Sequence, residues 1–380
     1  MANLLDYLAW RGDLPLSAVP LCDVDALIFA RLSYVPFDGI AEARVPLYMA
    51  ARQVLASVQL SDAPRACGKE DQQLLTQLLQ SPRYADILLD GYENIFDPVR
   101  QEQFAALTLH LLDGSAAVAF RGTDGTLVGW KEDFNMAFST VVPAQLDAVR
   151  YLSDVAERTQ GGIYLCGHSK GGNLAAWAAL HIPAELQTSR LLDAYNNDGP
   201  GFARDMVETA EYRRIAHKLH TYIPESSIVG VLLEHGEDYA VIDSANRSVM
   251  QHEPMSWSVI GPRFVHLGQR SQMGKLSDGV LQEWIGSMTP AEREQFTDAL
   301  FDVLSLSGKA RTLDDLRSGG LAGGAALLKQ YAGADEQKKK IISEIFRRLA
   351  VDVKGELKRA AGEGLEAAKN AITNLTRGEK

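Results

Sequence analysis

The chain has 380 residues, 46% of them hydrophobic and 23% charged, and a formal net charge of −11. This length suits one large α/β domain with an appendage, or two domains, around a sizeable core. The acidic balance argues against nucleic acid as a partner, because phosphate binding needs clustered Lys and Arg. Cys22, Cys67 and Cys166 are too widely spaced for a metal pattern or a disulfide framework, and they fit a reducing compartment.

The N-terminus lacks a basic stretch followed by a long apolar one, so it does not read as a signal peptide. No window approaches the roughly 18 uncharged apolar residues of a membrane span. The expectation is a soluble, cytoplasmic protein. Up to about residue 100 the chain reads as mainly helical, with apolar spacing of three and four in "DVDALIFARLSYV" and "EDQQLLTQLLQ". The period then changes. "FAALTLHLL" and "AAVAF" read as strands joined by a hairpin at Asp113-Gly114. Helix "AQLDAVRYLSDVAERT", strand "GIYLCG", helix "GGNLAAWAALHI" and strand "LLDAYNN" follow, then helix "ARDMVETAEYRRIA" and strand "KLHTYIP". Such alternation predicts a largely parallel sheet flanked by helices.

After about residue 285 the character shifts. "TPAEREQFTDALFDVL" opens on a capping box, with Thr289 as N-cap, Pro290 at the first helical position and Glu292 closing it. Beyond "SGGLAGG", apolar residues from Ile342 to Leu375 recur every three or four positions, one amphipathic helix weakened by Gly355, Gly362 and Gly364. Its polar face mixes Glu with Lys, which favours packing on the domain or on another copy over lying on a membrane surface. The expected division is residues 1–310 as the α/β domain and 311–380 as a helical extension.

One motif carries chemistry. Gly167-His168-Ser169-Lys170-Gly171 fits G-x-S-x-G, between an apolar strand-like run and a helix. This is the context of a nucleophile elbow, in which a sharp strand-to-helix turn lifts a serine hydroxyl clear of the sheet. A serine needs a histidine to take its proton, and an acid to orient that histidine. His168 is too close in sequence to bend back, and His181 lies down the same helix. His217 and His220 flank a strand start. His252, in a loop fixed by Pro254, is the better base, ahead of His235. Asp198, at the end of "LLDAYNND", is the favoured acid, with Glu225 in "YIPESS" as the fallback. An oxyanion needs two donors. The backbone N–H of Lys170 is one, and the "FRGT" turn, Phe120 to Thr123, offers the other. Arg121 in that turn would pair with Asp124 or Asp133.

With these segments placed, the sequence resembles the class 3 lipase-like branch of the α/β-hydrolases. It is most similar to a bacterial lipase-like family of unknown physiological role. "FRGT" is followed by Trp130 and Asp133 within "GWKEDF", and "GHSKGG" stands where lipases usually have G-H-S-L-G-G. "DGPGF" and "QHEPMSW" complete the order, over about residues 1 to 310. The resemblance implies an α/β-hydrolase fold, Ser169 as nucleophile, His252 as base, and Thr123 with Lys170 as oxyanion donors. One departure stands out. Class 3 lipases carry their acid in a D-x-V-P segment, and here that place reads Ser227-Ile228-Val229-Gly230. Pancreatic-type lipases place it one strand earlier, as Asp198 would be.

The reading is a serine esterase with no metal or organic cofactor, acting on a small-molecule acyl ester. A thioesterase or amidase with the same residues stays open, as does a hydrolase-fold interaction protein working through its C-terminal helix. The Lys170 cation opposes the dipole of the helix it begins. Its head is expected either over the pocket mouth, attracting an acidic substrate group, or in solvent.

Overall fold

Five apolar runs between residues 116 and 242 become the parallel centre of a nine-stranded sheet. The structure is a computed structural model and describes residues 1–60, 68–123, 132, 135, 136, 141–227, 229–270, 289 and 292. The central strands are β4 (Ala116–Phe120), β5 (Ile163–His168), β6 (Leu191–Asn197), β7 (Leu219–Pro224) and β8 (Tyr239–Ile242). Before them, β1 (Val45–Pro46), β2 (Leu88–Asp97) and β3 (Glu102–His110) pair antiparallel and join β4 through the expected hairpin. After β8, Val259–Ile260 (β9) and Arg263–Phe264 (β10) form a ribbon of their own, and β11 (His266–Leu267) closes the large sheet antiparallel to β8. A mixed sheet with a parallel centre and helices on both faces is the α/β-hydrolase arrangement.

Side chains alternate across the central strands, so each face has its own core. Leu107, Leu109, Ala117, Ala119 and Cys166 point to one face. That face is covered by α1 (Leu4–Arg11), α2 (Asp23–Leu32), α3 (Leu47–Leu60) and α4 (Lys69–Leu78). Phe104, Ala106, Val118, Phe120 and Leu165 point to the other, under α5 (Pro143–Arg158) and α6 (Lys170–His181). Cys166 is thus the small core residue its apolar setting suggested.

Helix α2 is buried along nearly its whole length, and a polar cluster pins its start. Asp25, fully buried, accepts hydrogen bonds from Tyr7, Tyr84 and from Nε and Nη2 of Arg83, at 2.5–3.0 Å. Buried charge persists when it is paired and every acceptor site is used. The helix's other end therefore has a fixed position.

The first hundred residues, expected to be mainly helical, also hold a ten-residue strand, Leu88–Asp97. Its alternation is broken where the register slips between Asp90 and Glu93, with Gly91 at φ +63°, so no clean period-2 signal survives in sequence. The single helix over 203–216 is instead two, after the short α7 (Ala184–Ser189): α8 (Arg204–Val207) and α9 (Ala210–Ile215). Thr209 interrupts them because its hydroxyl caps the second, accepting from Tyr212 N at 3.1 Å.

One compact unit spans Met1–Arg270. The boundary expected near residue 310 and the amphipathic helix beyond it lie outside the described residues. The capping box does not: Glu292 Oε2 accepts from Thr289 N at 2.8 Å, and Thr289 Oγ1 accepts from Glu292 N at 3.3 Å. Among the described residues, no helix is long and apolar enough to cross a membrane.

Candidate active site

Ser169 stands between the last residue of β5 and the first of α6, with φ +59° and ψ −134°. A positive φ on a residue with a Cβ costs about 1–3 kcal/mol and persists only where the surroundings enforce it. Here they do. A Cβ on Gly167 would lie 1.9 Å from the Gly171 carbonyl oxygen, and one on Gly171 would lie 2.1 Å from that of Phe120. Only glycine at both positions lets α6 cross β5 and β4 this closely. Ser169 N donates to Asn197 O at 2.9 Å and its carbonyl accepts from Gly172 N at 2.8 Å, which locks the turn from both sides. The strand-to-helix elbow expected from G-x-S-x-G is therefore present in the backbone.

Asp198 follows β6, the neighbouring strand, and also has a positive φ, +54°. It is fully buried. Oδ1 accepts from Gly230 N at 3.1 Å and Oδ2 sits 2.7 Å from His252 Nδ1. A carboxylate only accepts, so Nδ1 carries the proton and Nε2 of the neutral ring holds the lone pair. His252 ends a 3₁₀ turn, Ser248–His252, and its side chain is 28% exposed against 0% for Asp198. The two residues preferred in sequence are thus brought together. Gly230 ends the segment Ser227-Ile228-Val229-Gly230, and its amide holds the Asp198 carboxylate that follows β6.

His252 is also held from the elbow side. His168, immediately before Ser169, places Nε2 2.8 Å from the His252 carbonyl oxygen, and the two rings lie 4.6 Å apart at 35°. Burial holds the His168 imidazole well below the usual histidine range, with the neighbouring His252 adding to the effect. The other ring nitrogen, Nδ1, meets the Tyr34 hydroxyl at 3.1 Å. Tyr34 went unnoticed in the sequence: it lies 134 positions upstream and just past a helix end, with no motif to mark it.

The "FRGT" turn leaves β4 directly beside the elbow. A Cβ on Gly122 would lie 2.5 Å from His168 O and 2.9 Å from Ser169 Cβ. Thr123, the next residue, is half-buried there. Gly122 N is already engaged by the Tyr34 hydroxyl at 3.1 Å. Arg121 is buried and donates to Asn94 Oδ1 at 3.0 Å. Its expected partners, Asp124 and Asp133, lie outside the described residues, as does Trp130.

The Lys170 side chain is neither over a pocket mouth nor in solvent. It is buried, with Nζ 2.7 Å from Glu132 Oε2 and 2.6 Å from Gln103 O. Glu132 also accepts from Gln103 N at 3.0 Å and Ala144 N at 3.1 Å. A lysine facing a fully buried carboxylate satisfies that charge, but both groups lose their water to do so. Held there, the Lys170 cation is not offered to an acidic substrate group, contrary to expectation.

The runner-up residues do other work. His235 Nε2 donates to Gly230 O at 2.7 Å and its Nδ1 faces Glu237 Oε1 at 3.3 Å. It therefore backs the loop that holds Asp198. Glu225 N donates to Ile242 O at 3.1 Å, so this residue closes the end of β7 against β8.

The model of the family described as Mbeg1-like matches residues 78–302, well over half of the chain. Among solved structures the chain is similar to M37 lipase, at 13% identity and a TM-score of 0.34, over 55% of this chain and 69% of that one. It is similar to a mutant form of MDLA from Penicillium cyclopium at 13% identity and a TM-score of 0.38, over 66% and 87%. The Rhizomucor miehei lipase in its propeptide complex gives 14% and 0.37, over 63% and 80%. No curated protein matches the chain.

Proposed function

The chain belongs to the Mbeg1-like family, a lipase-like one, and from that premise we propose that it is a serine hydrolase cleaving a carboxylic ester through an acyl-enzyme on Ser169. The observation that carries this reading is the buried Asp198 carboxylate, 2.7 Å from Nδ1 of a histidine whose ring packs against the residue preceding the elbow serine. Asp198 keeps the proton of His252 on Nδ1, so that Nε2 takes the proton of the Ser169 hydroxyl as its oxygen attacks the acyl carbon. The backbone N–H groups of Lys170 and Thr123 receive the negative charge that develops on the carbonyl oxygen, at the N-terminus of α6. Collapse expels the alcohol, which leaves with the proton from Nε2. Water, deprotonated in turn by His252, then releases the acid. The substrate is a lipid-like or short-chain acyl ester, and the setting is the cytoplasm.

The test is labelling with a fluorophosphonate probe, with Ser169→Ala as control, alongside hydrolysis of p-nitrophenyl butyrate. Labelling and turnover by the wild type and by it alone are expected. A wild type that neither labels nor hydrolyses would overturn the proposal.

A further inference from the structure

Four residues from four separate segments form a directed hydrogen-bond chain beside the elbow. A carbonyl oxygen can only accept, so the 2.8 Å contact between His168 Nε2 and His252 O means that Nε2 carries the proton. His168 is neutral because burial holds its pKa well below the ordinary value. Nδ1 is therefore the lone pair, and it accepts from the Tyr34 hydroxyl at 3.1 Å, with His168 O a longer second acceptor at 3.3 Å. The Tyr34 oxygen in turn accepts from Gly122 N at 3.1 Å. All donors point one way, from Gly122 through Tyr34 and His168 to the backbone of His252, and bonds so aligned reinforce one another.

We propose that Tyr34 and His168 are positioning residues: one phenol and one imidazole jointly hold the oxyanion turn and the loop of the general base in register with Ser169. This rests on the serine-hydrolase reading above. The two ends of the chain are the two things that reading requires to be placed. Gly122 immediately precedes Thr123, and the peptide that Tyr34 grips leads into the proposed donor. The His252 carbonyl belongs to the residue whose ring does the proton transfer. Tyr34 is itself fixed from behind. The Arg31 guanidinium lies 5.0 Å over its ring, is bonded to Asp71 at 2.6 Å, and approaches Glu253, the residue after His252, at 3.8 Å. The end of α2 thus reaches the base loop twice, through His168 and through Arg31. Neither Tyr34 nor His168 is asked to touch substrate. Their effect falls on kcat, because misplacing a base or an oxyanion donor by a fraction of an ångström weakens the transition state more than the bound ester.

The experiment compares wild type, Tyr34→Phe, His168→Leu and His168→Gln. It reads kcat and KM for p-nitrophenyl butyrate and the rate of fluorophosphonate inactivation. Tyr34→Phe removes one oxygen and leaves a buried donor and a buried acceptor unmet, so kcat is expected to fall about 10- to 100-fold. KM should stay within about twofold, and inactivation should slow in parallel. His168→Leu should fall at least as far. His168→Gln, whose amide N–H reaches where Nε2–H did, should recover most of kcat. If Tyr34→Phe fails to fold, the His168 pair decides alone. Unchanged kcat in Tyr34→Phe and His168→Leu, a loss confined to KM, or a Gln variant no better than Leu would each overturn this inference. A wild type without turnover or labelling would instead remove the reading beneath it.

Discussion

At the scale of single residues, the proposed chemistry depends on where one proton sits. Asp198 has a left-handed backbone, a conformation that asparagine adopts as readily as aspartate. Asp198→Asn is therefore expected to fold normally. Gly230 N would still find the amide oxygen, leaving the amide NH₂ against His252 Nδ1. That donor forces the ring proton to Nε2, where the lone pair is needed. Steady-state assays of this variant should show kcat lower by about 10⁴-fold, the loss expected when a base is held in the wrong tautomer. Activity near that of the wild type would mean that Asp198 does not orient the base.

At the scale of elements, Lys170 shows what a single exchange within a motif can conceal. It begins α6 at the position where lipases usually carry leucine, and its head crosses to Glu132 and the start of β3. Both partners are buried, so removing one strands the other. Lys170→Met is expected to lower unfolding free energy by about 3–5 kcal/mol. The double variant Lys170→Met, Glu132→Gln should recover a large part of that, as a double-mutant cycle by urea denaturation would reveal. If the two single losses simply add, the pair is not coupled. The sequence placed Lys170 correctly at a helix start but could not supply its partner, which lies 38 positions upstream. Charge seen in isolation reads as solvated, and only the partners Glu132 and Gln103 O, brought to it by the fold, turn it inward. The same holds for Tyr34, whose partners come from two other segments.

At the scale of the whole molecule, acid should loosen the unit spanning Met1–Arg270 from identifiable points. Burial alone would push the Glu237 carboxyl up, but hydrogen bonds from His235, Thr221 and Tyr212, with the His235 charge, outweigh it and hold the pKa at about 2 against the ordinary 4.5. A carboxyl depressed on folding adds stability above the unfolded value, and that stability drains away as pH falls from about 4.5 to about 2. The shift corresponds to roughly 3 kcal/mol. His168 works in the same direction at higher pH. It is kept neutral when folded, so the unfolded chain gains its proton first and stability declines below about 6.5. Urea midpoints measured from pH 7 to 2 should therefore fall in the wild type, with a shallower limb below 4.5 in Glu237→Gln. Parallel limbs would show that Glu237 carries no such share.

The amino-acid sequence by itself determined the elements with strong local signals. These are the apolar runs of β3 to β7, the helices that follow them, the glycines of the elbow and the capping box at Thr289. Each depends on neighbours a few residues away, so periodicity and turn chemistry suffice to find it. It also put His252 ahead of His235 and favoured Asp198 as the candidate acid, with Glu225 as the fallback. Tertiary structure alone decided the rest: the bulged strand Leu88–Asp97, the burial of Lys170 on Glu132, the reach of His235 into the Asp198 loop, and the Tyr34–His168 link. Lys170 and Glu132 lie 38 positions apart and Tyr34 and His168 lie 134 apart, and a contact across a sheet or between loops leaves no period in the chain that makes it.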